Sequence, residues 1–328
     1  KNYIEITNKS AFYIYKADIS KLTNLSYEEI KEMLNILKEE TEKKMKEPLV
    51  SSLMILDINE RKQEFLEKAR SRIEIKNLVL EKVKNKDIDI FIQWIYDANL
   101  NKRFFEILAR AKKNGEYIPA YKFINILQQE NAMTLLDIAV ITNIIKNLEK
   151  IKALTNEFYL NIYPTSLSNN EVIELLKELI GECHKNEIML NLELTEYAIV
   201  ANKDIIEQLK SQLFYIAFDD FGVGYTNYEL VGELADTNMA KTLKVDGSIV
   251  KKMLESNIYK SIVESISIFS KRANLKVIYE FVDSEDIIKE LHSIANSIDL
   301  PKEKMFFQGF YLHKPSPLEE EYKALGHS

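Results

Sequence analysis

From Asp87 onward the chain alternates short apolar runs with longer amphipathic segments, a rhythm that few folds can satisfy. The apolar runs fall at 88–96, 104–110, 157–163, 188–194, 214–220, 242–246, 275–281 and 305–311, and helical periodicity occupies 119–131, 134–150, 168–184, 203–212, 254–273 and 284–297. Eight strands with helical crossovers predict an α/β fold, a TIM-type (β/α)8 barrel. Only Asp97-Ala-Asn-Leu-Asn-Lys102 separates the first two runs. That is too short for a crossover helix, so the pair should form a hairpin and give the barrel one antiparallel strand.

The barrel should occupy 86–328 and follow a small α+β module at 1–85. In that module Phe12–Tyr15 reads as a strand and Ser26-Tyr-Glu-Glu29 as a capping box that opens a charged helix running towards Lys46. Leu49–Ile58 reads as a second strand, and helical periodicity runs from Glu60 to about Lys84. The Lys and Glu residues here suit solvated helix faces with i,i+4 pairs, and nothing in the module suggests chemistry.

Composition closes off several classes of function. A net charge of −7 gives no field for a polyanion, so duplex nucleic acid is not an expected partner, although a small anion held by metal ions remains compatible. Cys183 is the single cysteine, which excludes an internal disulfide and suits a reducing compartment. No apolar run reaches the ~18 residues of a membrane span, and there is no signal peptide. The expectation is a cytoplasmic protein. Because the chain begins with Lys1 and not Met, a longer, membrane-attached parent is compatible with that expectation.

In a β/α barrel, chemistry collects at the carboxyl ends of the strands. Those ends, or positions close by, carry Glu106 and Arg110, Asn161, Glu193 and Glu196, Asp219 and Asp220, Lys244 and Asp246, Glu280 and Asp283, and Gln308. Each alone has an ordinary structural explanation. Taken round the barrel they converge on one face, where unpaired charge is costly. Adjacent Asp219 and Asp220, at the end of an apolar strand and ahead of Gly222 and Gly224, are especially unfavourable unless a cation neutralises them. The donors are oxygens, with no His or Cys, which selects a hard cation such as Mg2+ or Mn2+. Five or six carboxylates exceed what one ion needs, so one or two ions are expected. Such a centre suits phosphoester hydrolysis, with a buried lysine orienting water and Arg110 gripping a phosphate. An enolising or aldolase-type lyase would use a similar inventory.

Glu106-Ile-Leu-Ala-Arg110, Leu160-Asn-Ile-Tyr-Pro164, Glu193-Leu-Thr-Glu196, Asp219-Asp-Phe-Gly-Val-Gly-Tyr225, Lys244-Val-Asp246, Glu280-Phe-Val-Asp283 and Gln308-Gly-Phe310 with Lys314-Pro315 follow one another in order on successive strands. Together they resemble the EAL family of cyclic di-GMP phosphodiesterases, from roughly Asp87 to Leu318. The resemblance implies hydrolysis of cyclic di-GMP to linear pGpG by two-metal activation of water. It assigns metal ligation to Glu106, Asn161, Glu193 and Asp219, with Asp219 bridging to a second ion held by Asp220 and assisted by Asp246. Lys244 would position the attacking water, Glu280 would act as base or as a ligand of the second metal, and Gln308 would contribute near the metals. Arg110 would contact the substrate phosphate. Glu196 would anchor the loop at 221–230, which in the family couples dimerisation to the site, and a homodimer is implied; Asp283 would hold the loop beside the base.

Four residues depart from the family pattern: Ile107 for Ala, Val223 for Thr, Phe281 for Gly and Asp283 for Glu. The last two flank the proposed base, and they support an alternative: a weak or inactive module that binds cyclic di-GMP or a protein partner as a sensor. Asn8-Lys-Ser-Ala-Phe12 and the order of elements in the first module resemble the second half of a degenerate GGDEF domain, without residues for cyclase chemistry. An unrelated α+β cap fits those elements equally well.

Overall fold

Backbone pairing closes the expected strands into a ring. The structure is a computed structural model that describes the backbone of residues 2–8, 11–17, 24–45, 54–57, 61–209, 214–223 and 227–326, with side chains for 24–40, 61–209, 214–223 and 227–326. Two compact units result, Lys1–Glu81 and Lys82–Ser328.

In the first unit, β1 (Asn2–Asn8) pairs antiparallel with β2 (Ala11–Ala17), and β2 pairs parallel with β3 (Met54–Asp57). β1 was not anticipated, and of the expected strand Leu49–Ile58 the positions 49–53 and 58 lie outside the described residues. The helices are α1 (Tyr27–Met45) and α2 (Lys62–Lys84). The capping box forms as read: Ser26 N–H donates to Glu29 Oε2 at 2.8 Å and Glu29 N–H to Ser26 Oγ at 3.1 Å. Met33, Ile36 and Leu37 of α1 bury against Phe65, Leu66 and Ala69 of α2. Exposed pairs such as Lys68 with Glu64 lie on the outer face.

The barrel strands are β4 (Asp89–Asp97), β5 (Lys102–Lys113), β7 (Glu157–Asn161), β8 (Met189–Leu194), β9 (Tyr215–Phe221), β10 (Ala240–Val245), β11 (Lys276–Tyr279) and β12 (Met305–Phe307), with short β6 (Glu116–Pro119) and β13 (Ser316–Pro317) outside the ring. The order β4-β12-β11-β10-β9-β8-β7-β5 is closed by pairing of β4 with β5. β4 runs antiparallel to both neighbours, and the other ring pairings are parallel. The fold is therefore a mixed eight-stranded barrel with helices. The helices are α3 (Ile124–Gln129), α4 (Met133–Lys146), α5 (Leu148–Leu154), α6 (Asn170–Lys185), α7 (Glu196–Ala201), α8 (Lys203–Leu209), α9 (Tyr228–Asp236), α10 (Gly247–Lys252), α11 (Asn257–Arg272), α12 (Glu285–Ser297) and α13 (Leu318–Lys323).

Several expected elements are corrected. The helix expected over 119–131 is instead the end of β6, a 3-10 turn at Ala120–Lys122 and α3. Asn114 and Gly115, both at positive φ, make a two-residue hairpin between β5 and β6. The helix expected over 134–150 is interrupted at Asn147, whose side chain donates to Asn143 O at 2.8 Å. The strand expected over 305–311 stops at Phe307; beyond it, Gly309 packs against Val282 so closely that an added Cβ would lie 2.0 Å from Val282 O. The end of the helix expected over 203–212 lies outside the described residues. Among those residues no helix is long and apolar enough to cross a membrane.

Ile95, Phe104, Tyr159, Ala217, Ile278 and Phe306 form one buried layer inside the ring. Towards the amino-terminal ends of the parallel strands, Lys276 Nζ donates to Glu157 Oε2 at 2.6 Å, while Tyr159 Oη and Asn191 Nδ2 also donate to Glu157. This polar floor satisfies its own charges.

Candidate active site

Strand periodicity places the site. Side chains two apart on a strand share a face, so residues two positions beyond the apolar layer project into the barrel mouth. Phe104 leads to Glu106, Tyr159 to Asn161, Ala217 to Asp219, Ile278 to Glu280 and Phe306 to Gln308. Asn191 and Thr242, buried at the same level, lead to Glu193 and Lys244.

Lys244 stands at the centre, 1% exposed. Its Nζ lies 2.8 Å from Glu193 Oε1, 2.9 Å from Glu280 Oε1, 3.2 Å from Asp219 Oδ1 and 3.5 Å from Glu106 Oε2. Burial alone would lower the lysine pKa, but the carboxylates outweigh it and hold the ammonium well above its usual range. Glu106 accepts from Asn161 Nδ2 and from Gln308 Nε2, both at 2.6 Å. Burial opposes its charge, yet Lys244 and these hydrogen bonds keep its carboxyl below the ordinary value. Glu193 lies well above, through burial and the neighbouring Glu106 charge. Burial pushes Glu280 up to about 8, and partial burial with the Asp219 and Asp246 charges pushes Asp220 up to about 6.

Four carboxyl groups thus share one ammonium, and several oxygens lack hydrogen-bond donors. Both oxygens of Glu193, Asp219 Oδ1 and Gln308 Oε1 are buried without a hydrogen bond, although Glu193 Oε1 and Asp219 Oδ1 face the lysine. Asp219, Asp220 and Glu280 present one oxygen each within 4.8 Å of one another, an acidic group able to hold a metal ion. The donor set and its unpaired oxygens fit a hard divalent cation.

The remaining expected residues surround this centre. Arg110 follows Glu106 by four positions on β5; its Nη1 donates to Ala109 O at 2.8 Å, and its guanidinium lies 5.1 Å over the Phe91 ring. Asp246 Oδ1 accepts from Ser248 N–H at 2.8 Å, capping α10, and lines a cleft of ≈ 650 Å³ with Asp219, Asp220 and Glu196. Glu196 Oε1 accepts from Asn227 N–H at 3.2 Å, at the start of α9. Gly224 and Tyr225, part of the expected loop at 221–230, lie outside the described residues. Asp283 pairs with Lys251 at 3.1 Å. Phe281, where the family pattern has Gly, adopts φ +51°, a conformation that costs a residue bearing Cβ roughly 1–2 kcal/mol. Glu280 nevertheless keeps its contact with Lys244.

Two site residues escaped the sequence reading. Gln93 of β4 pairs in register with Glu106, and its Oε1 accepts from Gln308 Nε2 at 3.3 Å. Because β4 is antiparallel, its mouth position precedes its interior residue Ile95. Asp137, buried in α4, accepts from Tyr163 N–H at 3.0 Å, and burial pushes its carboxyl up to about 7. It lines an apolar cavity of ≈ 400 Å³ that opens onto Asn161, Glu193 and Asp219. A lone acid within Met133-Thr-Leu-Leu-Asp-Ile-Ala-Val140 was the available signal.

Fold and site together define a β/α-barrel protein with an acidic, lysine-centred mouth whose carboxylates could hold a metal ion. The EAL domain family profile matches residues 76–315. The chain belongs to the EAL domain family. It is 32% identical over 254 residues to the cyclic di-GMP phosphodiesterase PdeA of Borreliella burgdorferi, covering 73% of this chain and 35% of that protein. It is 26% identical over 272 residues to a protein of Escherichia coli K12 named "Probable cyclic di-GMP phosphodiesterase PdeA", covering 81% of this chain and 36% of that protein. The chain therefore spans about a third of the length of these relatives. Among solved structures, the EAL enzyme Bd1971 with cAMP and cyclic di-GMP bound superposes with a TM-score of 0.64 at 19% identity, covering 94% of this chain and 78% of that one. The PaMucR phosphodiesterase in complex with c-di-GMP gives 0.61 at 20% identity, covering 74% and 97%. Likeness at that identity concerns the fold. The family match begins at residue 76, so the GGDEF-like reading of the earlier residues lies outside it.

Proposed function

We propose that this chain hydrolyses cyclic di-GMP to linear pGpG, using one or two Mg2+ or Mn2+ ions held by Glu106, Asn161, Glu193, Asp219 and Asp220. The observation that carries the reading is the set of oxygen donors around Lys244, inside a family whose named relatives are cyclic di-GMP phosphodiesterases. The bound ions would supply Lewis acidity to the phosphate and acidify water. The protein's own groups do the rest. Arg110 grips a phosphate oxygen pair, and the Lys244 ammonium orients the attacking water and offsets negative charge as it develops on the phosphate. Glu280, beside Lys244, accepts the water's proton as its oxygen bonds to phosphorus. The bond from phosphorus to the ribose 3′-oxygen breaks and that oxygen takes a proton from solvent, leaving a 5′-phosphate. Asp246 caps α10 beside Asp220 and assists the second ion through charge; Gln308 and Gln93 fix the Glu106 carboxylate. Glu196 and Asp283 hold the flanking loops, and the homodimer implied by the family belongs to the same proposal.

Full chain incubated with cyclic di-GMP and Mg2+ or Mn2+, followed by chromatography over time, tests this. Appearance of pGpG that stops on chelation and is lost in Glu106→Ala supports it; Glu106→Ala turning over at the wild-type rate would refute the assigned site. Phe281 beside Glu280, in the left-handed region, favours one second reading, a receptor that binds cyclic di-GMP without turnover. Intact nucleotide retained for hours in the presence of Mn2+ would select it.

A further inference from the structure

Phe281 combines three features that a simple surface residue has no reason to share. It bears a Cβ at φ +51°, it is 58% exposed, and it directly follows Glu280 of the acidic centre. Strain of this kind persists where the surrounding structure enforces it, and it concentrates at functional sites. The enforcement is visible. The ring lies so close to Gly247 that a Cβ there would meet Phe281 Cδ2 at 2.0 Å, so only glycine after Asp246 admits it. Lys251 Nζ sits 4.9 Å above the ring centroid and is itself held by Asp283 at 3.1 Å. The Lys251 ammonium thus lies over one face of the ring, while more than half the residue stays open. Phe310 and Tyr311, 62% and 51% exposed, stand on the adjoining loop, tied to this one by Tyr311 N–H donating to Val282 O at 3.3 Å.

We propose that Phe281 is a base-binding residue that stacks on a purine base of the diester whose phosphate occupies the Lys244 centre. This rests on the proposed function and extends it from the phosphate to the base. A ring fixed before the ligand arrives loses little freedom on binding, and every purine offers a π-face to it. The acidic rim suits this division of labour: phosphate goes to the cation-loaded centre, and the uncharged base goes to the aromatic shelf beside it.

Three variants of the full chain separate stacking from packing. Phe281→Gly takes φ +51° without strain and should unfold no earlier than wild type; Phe281→Leu keeps apolar bulk without a π-face; Phe281→Tyr keeps the face. The ligand is cyclic di-GMP with Mg2+, read as KM and kcat where turnover occurs and as Kd where it does not. The expected result is a rise of about tenfold or more in KM or Kd for both Phe281→Gly and Phe281→Leu, with Phe281→Tyr close to wild type. Wild-type affinity in Phe281→Gly, or in Phe281→Leu, would overturn the shelf. Wild-type protein that neither binds nor hydrolyses the nucleotide would instead overturn the proposed function, and the shelf with it.

Discussion

Asp137 offers a test of the barrel's electrostatics that does not depend on turnover. Its carboxyl is buried beside apolar side chains of α4 and pushed up to about 7 from an ordinary 3.8. The folded protein therefore retains this proton between the two values, whereas the unfolded chain has released it. Stability from this group is fully present below about pH 3.8 and is lost as pH rises through about 7. Each pH unit inside that window is worth about 1.4 kcal/mol, so moving from pH 5 to pH 8 should remove about 2–3 kcal/mol. Asp137→Asn keeps an oxygen to accept from Tyr163 N–H but has no charge to bury. Urea unfolding in EDTA, followed by fluorescence of Trp94, the single tryptophan, reports on the barrel. The variant should already be about 1–2 kcal/mol more stable than wild type at pH 5, and the gap should widen progressively towards pH 8. Parallel stability profiles across that range would show that Asp137 is ionised in the fold or already exposed, and the reasoning would fail.

Glu193→Gln or Asp219→Asn, titrated calorimetrically with Mn2+ and no nucleotide, should lose at least about tenfold in affinity; unchanged binding would remove these residues from the cation site. Glu157→Gln keeps acceptors for Tyr159 and Asn191 but leaves Lys276 without its counter-charge. It should lower barrel stability by about 1–3 kcal/mol while leaving Mn2+ affinity unchanged, and an equally stable variant would show that the floor contributes nothing. Gly309→Ala must displace the Val282 backbone, at a cost of about 1–3 kcal/mol in thermal or urea unfolding; wild-type stability would mean that the β12 loop can yield.

What could be read from the sequence was what strand periodicity controls. Runs such as Phe214–Phe218 declare buried strands, and a polar residue two positions past an inward-facing one must enter the mouth. Glu106, Glu193, Lys244 and Glu280 stood out in the sequence because they lie at the carboxyl ends of such strands. Gln93 was missed through a rule applied too uniformly. Carboxyl ends mark the mouth only on the parallel strands; the hairpin between β4 and β5 reverses β4 and moves its mouth position towards its start. The Asn114-Gly115 pair was an equally plain hairpin signal, overlooked because the amphipathic pattern beyond it suggested a longer helix. Helices α7, α9 and α10 span 6, 9 and 6 residues, too short to establish a period. Each announces itself only by its cap: Thr195, Asn227 and Asp246 accept from N–H groups at the start of the helix that follows.

The departures from the family pattern bear out this division between what spacing dictates and what contacts decide. Ile107 is buried on β5, on the opposite face from Glu106, and lines the apolar cavity beside Asp137, so a larger side chain there alters the packing of that cavity. Val223 is about half exposed and lines the cleft beside Asp220, where the missing hydroxyl removes a hydrogen-bonding group from the rim. Phe281 is different in kind, because glycine at that position would serve the backbone. The chain here accepts left-handed geometry with a side chain attached, and the contact of Glu280 with Lys244 survives it at 2.9 Å. The shorter Asp283 is engaged with Lys251, the same lysine that lies over the Phe281 ring. The two substitutions flanking the proposed base thus form one connected unit through Lys251. Any effect of either on the site should be non-additive with the other, as expected for residues that share a partner. Phe281→Gly combined with Asp283→Ala should therefore change KM or Kd for cyclic di-GMP by less than the product of the single changes. A full product of the two effects would show that Lys251 does not link them.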